Sequence, residues 1–441
     1  MLFIRGLLAY RKTMNWLPPS WIPLCNVVLS FVIMLVLVRF RFPLGGAILA
    51  GSLALGLLFG MSLPDWGMAV LSAPFEEKPL FLTAIIGLIM ALSHLLEKSG
   101  QTGRIMHSVS GLIRNPRLRM AFFASLIGLL PMPGGAIFSA PLVRGAAQDL
   151  DVSPDRLALI NYWFRHVWEL AWPLYPGVIL AAALAGLPIS SLLSLTFPGL
   201  LLSLLLGCWF FLRPGVLPLE RRADAPEATP PGPVSWSAIA REGLPLLVAI
   251  FGAVGLEVVI GVLQLPIPFE LGMCAALALA IAVGVVQNTG GGRLLFQALT
   301  GRPFLSMLFV IVGIFGYQEV LRAAGAVERI AELTGGGAAL AFTAGLLPLL
   351  VGTVTGITLA YVGSTFPLIL GMAANTGTDP LACVVLGMFA GYAGIMASPL
   401  HICLVLTCQY FGTDITRVWR RLLLPSVLLL VAGYVYFFLL L

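Results

Sequence analysis

The sequence predicts an all-α membrane protein of two inverted five-helix repeats. Each repeat carries a re-entrant hairpin and a broken helix, giving about ten crossings plus two hairpins. Three observations lead there. Of 441 residues, 59% are hydrophobic and only 10% are charged, where soluble domains carry about 25% charge. The apolar residues fall in long continuous runs, not in the alternating strips of a membrane strand. Two halves of the chain share one register of prolines and glycines. This composition excludes a soluble enzyme, a nucleic-acid binder and a disulfide scaffold.

The elements follow in order. Residues 1–20 hold Arg5, Arg11 and Lys12 around a short apolar patch and are read as an interfacial segment. The first repeat covers 21–212, with a scaffold part at 21–78 and a moving part at 79–212. Its spans are expected near 21–38, 44–62, 79–96, 176–187 and 189–212. Residues 213–240 form a hydrophilic linker, with Glu220, Arg221, Arg222, Asp224 and Glu227 among Pro226, Pro230, Pro231 and Pro233. Prolines at this density stiffen a linker and forbid a helix. The second repeat covers 241–441, divided at 302/303, with spans near 243–264, 268–286, 303–321, 379–411 and 415–440. Two further apolar stretches, 120–148 and 338–373, are interrupted by Pro and Gly and are read as hairpins.

The duplication rests on matched positions. Leu96, Gly100, Arg104 and Ile105 recur 225 residues later as Leu321, Gly325, Arg329 and Ile330. Pro141, Pro154, Ala171 and Pro173 recur 226 residues later as Pro367, Pro380, Ala397 and Pro399. With the linker in the cytoplasm, most Lys and Arg, including Arg39, Arg114, Arg213, Arg293 and Arg417, fall on the cytoplasmic side. An odd number of crossings per repeat then inverts the second copy.

Candidate functional residues cluster where the helical pattern breaks. Pro131-Met132-Pro133-Gly134-Gly135 interrupts the first hairpin and Gly352-Thr353-Val354-Thr355-Gly356-Ile357-Thr358 the second. Freed main-chain groups cannot face lipid, so the breaks must face protein or water. Helix N-termini there suit an anion and carbonyl ends suit a cation. Pro133, Gly134, Gly135, Thr353, Thr355, Gly356 and Thr358 are therefore read as solute-binding. Ser364 and Thr365, with Thr355, are read as ion-coupling hydroxyls.

The most informative stretch is Asn161-Tyr162-Trp163-Phe164-Arg165-His166-Val167-Trp168-Glu169-Leu170-Ala171-Trp172-Pro173-Leu174-Tyr175-Pro176. Asn161, Arg165 and Glu169 are spaced to share one helix face. Charge at this depth is costly and calls for partners. One reading is an internal Arg165–Glu169 ion pair with the tryptophans as an interfacial belt. The other has Asn161 and Arg165 meeting an anionic solute while His166 or Glu169 takes a coupling proton. The matching segment, Gly391 to His401, is almost uncharged. Its Ser398-Pro399 break and small residues suit close backbone approach, and Ser398 and His401 join the candidate site.

No Walker A, His-Glu-x-x-His or Gly-x-Ser-x-Gly pattern is present, so no enzyme is expected. The six cysteines have no metal-ligand spacing and are read as small buried hydrophobes. No metal or cofactor is expected beyond Na+ or H+ as a coupling ion.

With Pro131–Gly135, the 161–176 segment and Ala390-Gly391-Tyr392-Ala393-Gly394-Ile395-Met396-Ala397-Ser398-Pro399-Leu400-His401 in view, the chain resembles the DUF401 family of integral membrane proteins. That family is grouped with the ion transporter superfamily, beside dicarboxylate, citrate and gluconate transporters. The resemblance implies inverted repeats, a homodimer and elevator movement of one domain against another. The hairpin tips here read Met-Pro-Gly-Gly and Thr-Val-Thr-Gly, not the Ser-Asn-Thr pairs of dicarboxylate members. The expected function is ion-coupled secondary transport of a small organic anion, of carboxylate type, in a prokaryotic inner membrane. The lipid bilayer, a small-molecule solute and a second copy of the chain are the expected partners, and nucleic acid is not. A cation/proton antiporter without organic solute, and a non-transporting scaffold or sensor, are the alternatives.

Overall fold

A computed structural model describes residues 22–109, 111–113, 115–130, 135–217, 220, 235–326, 329 and 337–441. The 1–20 segment, linker residues 221–234 and the Pro131–Gly134 tip lie outside the described residues, and with them Pro133 and Gly134.

The described chain is helical, with no strand among the described residues. The first half runs α1 (Ile22–Arg39), α2 (Leu44–Phe59), α3 (Leu63–Ser72), α4 (Glu77–Lys98), α5 (Gln101–Val109), α6 (Pro116–Gly128), α7 (Ala136–Ala146), α8 (Pro154–His166), α9 (Pro176–Ala185) and α10 (Ile189–Gly207). The second runs α11 (Trp236–Val262), α12 (Phe269–Gln287), α13 (Gly291–Thr300), α14 (Arg302–Ala323), α15 (Gly337–Thr355), α16 (Thr358–Thr376), α17 (Pro380–Met396), α18 (Ile402–Phe411) and α19 (Ile415–Leu440). Local chemistry sets the starts. Pro116, Pro154 and Pro380 occupy the first helical position of α6, α8 and α17, where the missing N–H costs nothing. Asn115, Asp379 and Asp414 accept backbone N–H bonds at the heads of α6, α17 and α19, as N-caps do.

Seven helices among the described residues are long and apolar enough to cross a membrane: α1, α4, α10 with its extension to Leu212, α11, α12, α14 and α19. The chain is a multi-pass integral membrane protein. Fewer helices reach full length than the ten crossings expected: α2 ends after 16 residues at Gly60, and breaks shorten the others. α9 and α18 have ten residues each, about 15 Å of helix, half of a bilayer core of about 30 Å. The expected 379–411 span is cut at 397–401 into α17 and α18.

The element order of α1–α4 returns in α11–α14, and that of α6–α10 in α15–α19. Packing is reciprocal between the halves. α2 packs on α14 and α12 on α4; α18 packs on α7 and α9 on α16; α6 packs on α8 and α15 on α17. Two groups result, α1–α4 with α11–α14 and α6–α10 with α15–α19. α4 and α14, assigned above to the moving parts, pack chiefly with the first group. The groups meet along α14 with α16, α4 with α9, α1 with α15 and α10 with α11. The candidate site opens along the first two of these seams.

Candidate functional site

The site is assembled from two helix breaks and one hairpin turn. α8 stops at His166, a 3-10 turn covers Val167–Leu170, and α9 starts at Pro176. Of the helix face expected for Asn161, Arg165 and Glu169, the first two keep their spacing within α8 and Glu169 is corrected to the turn beyond it. Pro173 and Pro176 cannot extend a helix, and the tighter turn rotates Glu169 away from the register of Asn161. Asn161 instead donates to Ala136 O at 3.2 Å and Thr407 Oγ1 at 3.0 Å, tying α8 to α7 and α18.

The aromatic residues hold this break in place. Trp168 and Trp172 donate their indole N–H to Ser125 O and Leu129 O at 2.8 and 2.9 Å, and Tyr175 OH donates to Gly128 O at 2.9 Å. All three acceptors belong to the end of α6, where helix carbonyls lack intrahelical partners. The tryptophans are thus staples within the protein, not an interfacial belt.

In the second half, α15 ends at Thr355 and α16 begins at Thr358. Gly356 takes φ +64°, the left-handed region that favours glycine, and a Cβ there would meet His401 at 3.0 Å. Ser398 Oγ donates to Thr353 O at 2.6 Å, and Trp419 Nε1 donates to Ala397 O at 2.7 Å. Small residues let backbone close on backbone: a Cβ on Gly394 would collide with Leu349 O.

These pieces bring one polar cluster together in the interior. Arg165, His166, Glu169, His401 and Cys403 are all buried. His166 Nδ1 donates to Tyr162 O at 2.5 Å; a carbonyl only accepts, so the neutral ring keeps its free lone pair on Nε2. That nitrogen lies 3.3 Å from Arg165 Nη1, 3.1 Å from His401 Nε2 and 3.9 Å from Glu169 Oε1. Thr358 Oγ1 donates to Glu169 Oε2 at 3.0 Å, so the hairpin turn of one half holds the carboxylate of the other. The two imidazoles meet edge to face at 4.8 Å, and Tyr162 packs on both.

A cavity of about 430 Å³ exposes this cluster. Arg165, His166, Glu169, Gly356, Thr358 and His401 line one side, and Ile89 of α4 with Ser306, Met307 and Val310 of α14 line the other. The cavity thus opens on the seam between the two helix groups. Its mostly apolar walls, with a few convergent polar groups, have the character of a small-molecule site.

The remaining candidates fall elsewhere. Thr353, Thr355, Ser364 and Thr365 each donate to the carbonyl four residues back, at 2.6 to 2.7 Å, and none of them lines the cavity. Ser398 is spent on Thr353 O. Gly135 precedes α7, away from the cavity lining. The residue that sequence reasoning missed is Cys403. Taken there as a small hydrophobe, it lies in one group with His166 and His401, their ligand atoms all within 4.8 Å of one another. The signal available was its place two residues after His401, directly beyond the Ser398-Pro399 break. Nor are all the cysteines buried: Cys208 is exposed, and Cys25 and Cys274 are half-buried.

Fold and cavity together define a multi-pass membrane protein with a cavity of small-molecule size, lined in part by charged residues, among its helices. Comparison with known families places it further. The pattern of the family described as "Protein of unknown function (DUF401)" matches residues 24–225 and 245–440, and the chain belongs to that family. No curated protein matches it.

Proposed function

We propose that this chain is an ion-coupled secondary transporter of a small organic anion, of carboxylate type, and not an enzyme. The observation that carries the reading is the cavity, where Arg165 from one half and Thr358 and His401 from the other reach a single space on the seam between two helix groups. A buried guanidinium attracts and orients a carboxylate. Glu169 and His166, 3.9 Å apart, are the groups that carry a coupling proton, and the carbonyl ends around Gly356 are where sodium would be held.

The reciprocal packing of the halves supports an inverted duplication, with α6 and α7 in one half and α15 and α16 in the other as the arms of opposed re-entrant hairpins. The seam supports an elevator, in which α6–α10 and α15–α19 move against α1–α4 and α11–α14. On this reading the protein belongs with the ion transporter superfamily in a prokaryotic inner membrane, and works as a homodimer.

Thermal unfolding in detergent tests the reading, using a panel of small mono-, di- and tricarboxylates with and without sodium at several pH values. A ligand at about a hundred times its Kd stabilises by about 2.7 kcal/mol. A shift with one class of carboxylate, absent in Arg165→Ala, is the expected result. No shift with any carboxylate at any pH would overturn it.

A further inference from the structure

We propose that His166, His401 and Cys403, with Glu169 as fourth ligand, form a site for a thiophilic divalent metal of the zinc class. This goes beyond the transport reading and does not depend on it: the cluster would bind metal whether or not a solute moves, and the proton-carrying role of His166 and Glu169 then belongs to the metal-free state.

The donors fit such an ion in kind and position. Imidazole and thiolate together suit zinc and its chemical relatives, whereas magnesium and calcium require oxygen ligands. The two Nε2 atoms face each other at 3.1 Å, and zinc–nitrogen bonds of about 2.0–2.1 Å in a tetrahedron place two nitrogens about 3.3 Å apart. Cys403 Sγ completes a group whose ligand atoms all lie within 4.8 Å. Glu169 Oε1, 3.9 Å from His166 Nε2, lies outside that group and would close on the ion as fourth ligand when it binds.

The surroundings also fit. His166 gives its Nδ1 proton to Tyr162 O at 2.5 Å, the outer hydrogen bond that orients a metal-bound histidine and frees the other nitrogen. All four residues line the cavity, so an ion can arrive from it. Binding would displace the contact between Arg165 and His166 Nε2. The thiol of Cys403 would lose its proton to solvent as the metal–sulfur bond forms, with no change of oxidation state. The thiolate and Glu169 together supply two negative charges against the ion.

Cobalt(II) added to chelator-stripped, detergent-solubilised protein tests the assignment. The expected result is one cobalt per chain, with a thiolate-to-cobalt charge-transfer band and the strong visible bands of a four-coordinate ion. Cys403→Ser should lose the charge-transfer band, while Cys408→Ser, which changes a buried cysteine outside the cluster, should keep it. His401→Gln should weaken binding at least about tenfold, about 1.4 kcal/mol. Absence of the band in the unaltered protein, or its persistence in Cys403→Ser, would overturn the assignment. Because the readout is optical, a failure here is distinct from a failure of transport.

Discussion

The two breaks solve the same problem by different chemistry. In the first, 165–176, the chain carries Arg165, His166 and Glu169 and is braced by aromatic donors on the carbonyls of Ser125, Gly128 and Leu129. In the second, 397–401 with the end of α17 before it, charge is absent and small residues bring backbone against backbone, as at Gly394 and Ser398. The difference teaches a division of labour. Charged side chains inside a membrane protein need rigid surroundings that satisfy every polar group. The uncharged break leaves room for the Gly356–Thr358 turn to close over them. One break presents charge and the other shapes the space.

Six substitutions sharpen the contrast. Arg165→Ala should have the largest effect, reducing saturable carboxylate uptake into proteoliposomes about 100-fold, from about 3 kcal/mol lost with a buried charged contact. Arg165→Lys should recover only part, since a lysine cannot form the two-pronged contact. Next comes Gly394→Val, whose side chain collides with Leu349 O. Overpacking of about 1–3 kcal/mol should lower the thermal midpoint, and an unchanged midpoint would show that the second break does not depend on close approach.

Thr358→Val removes one hydrogen bond to Glu169, an effect of about 1 kcal/mol. It should alter the pH profile of uptake and leave the amount of folded protein unchanged. Glu169→Gln, which can still meet Thr358, should flatten that profile. A wild-type pH profile in Glu169→Gln would remove this carboxylate from coupling. Smallest of all, Ser364→Ala should change uptake less than about twofold, because its hydroxyl is spent on Ala360 O at 2.6 Å and such back-bonding contributes little. A large loss would return Ser364 to the site.

Much of the architecture was legible because membrane helices and their breaks are written in composition. Long apolar runs gave α1, α4, α12 and α19 nearly to the residue. Pro154 and Pro380 marked equivalent helix starts, and Gly356 marked the turn. Arg165, His166 and Glu169 stood out because charge is rare in such a chain. What sequence could not convey was direction. Glu169 left the face of Asn161 because a 3-10 turn replaced the α-helix. The hydroxyls of Thr353, Thr355, Ser364 and Thr365 found local carbonyls, a choice that depends on rotamer and not on spacing. Cys403 joined two histidines from different halves, a proximity that only tertiary folding creates.

The central claim is that side chains from both breaks act on one solute. A double-mutant cycle on carboxylate affinity, with Arg165→Ala, His401→Gln and the pair, measures it. Residues sharing a ligand and a contact network couple by about 0.5–3 kcal/mol, so the account predicts a double mutant clearly off the sum of the single effects. Strict additivity, or affinity untouched by His401→Gln, would contradict it.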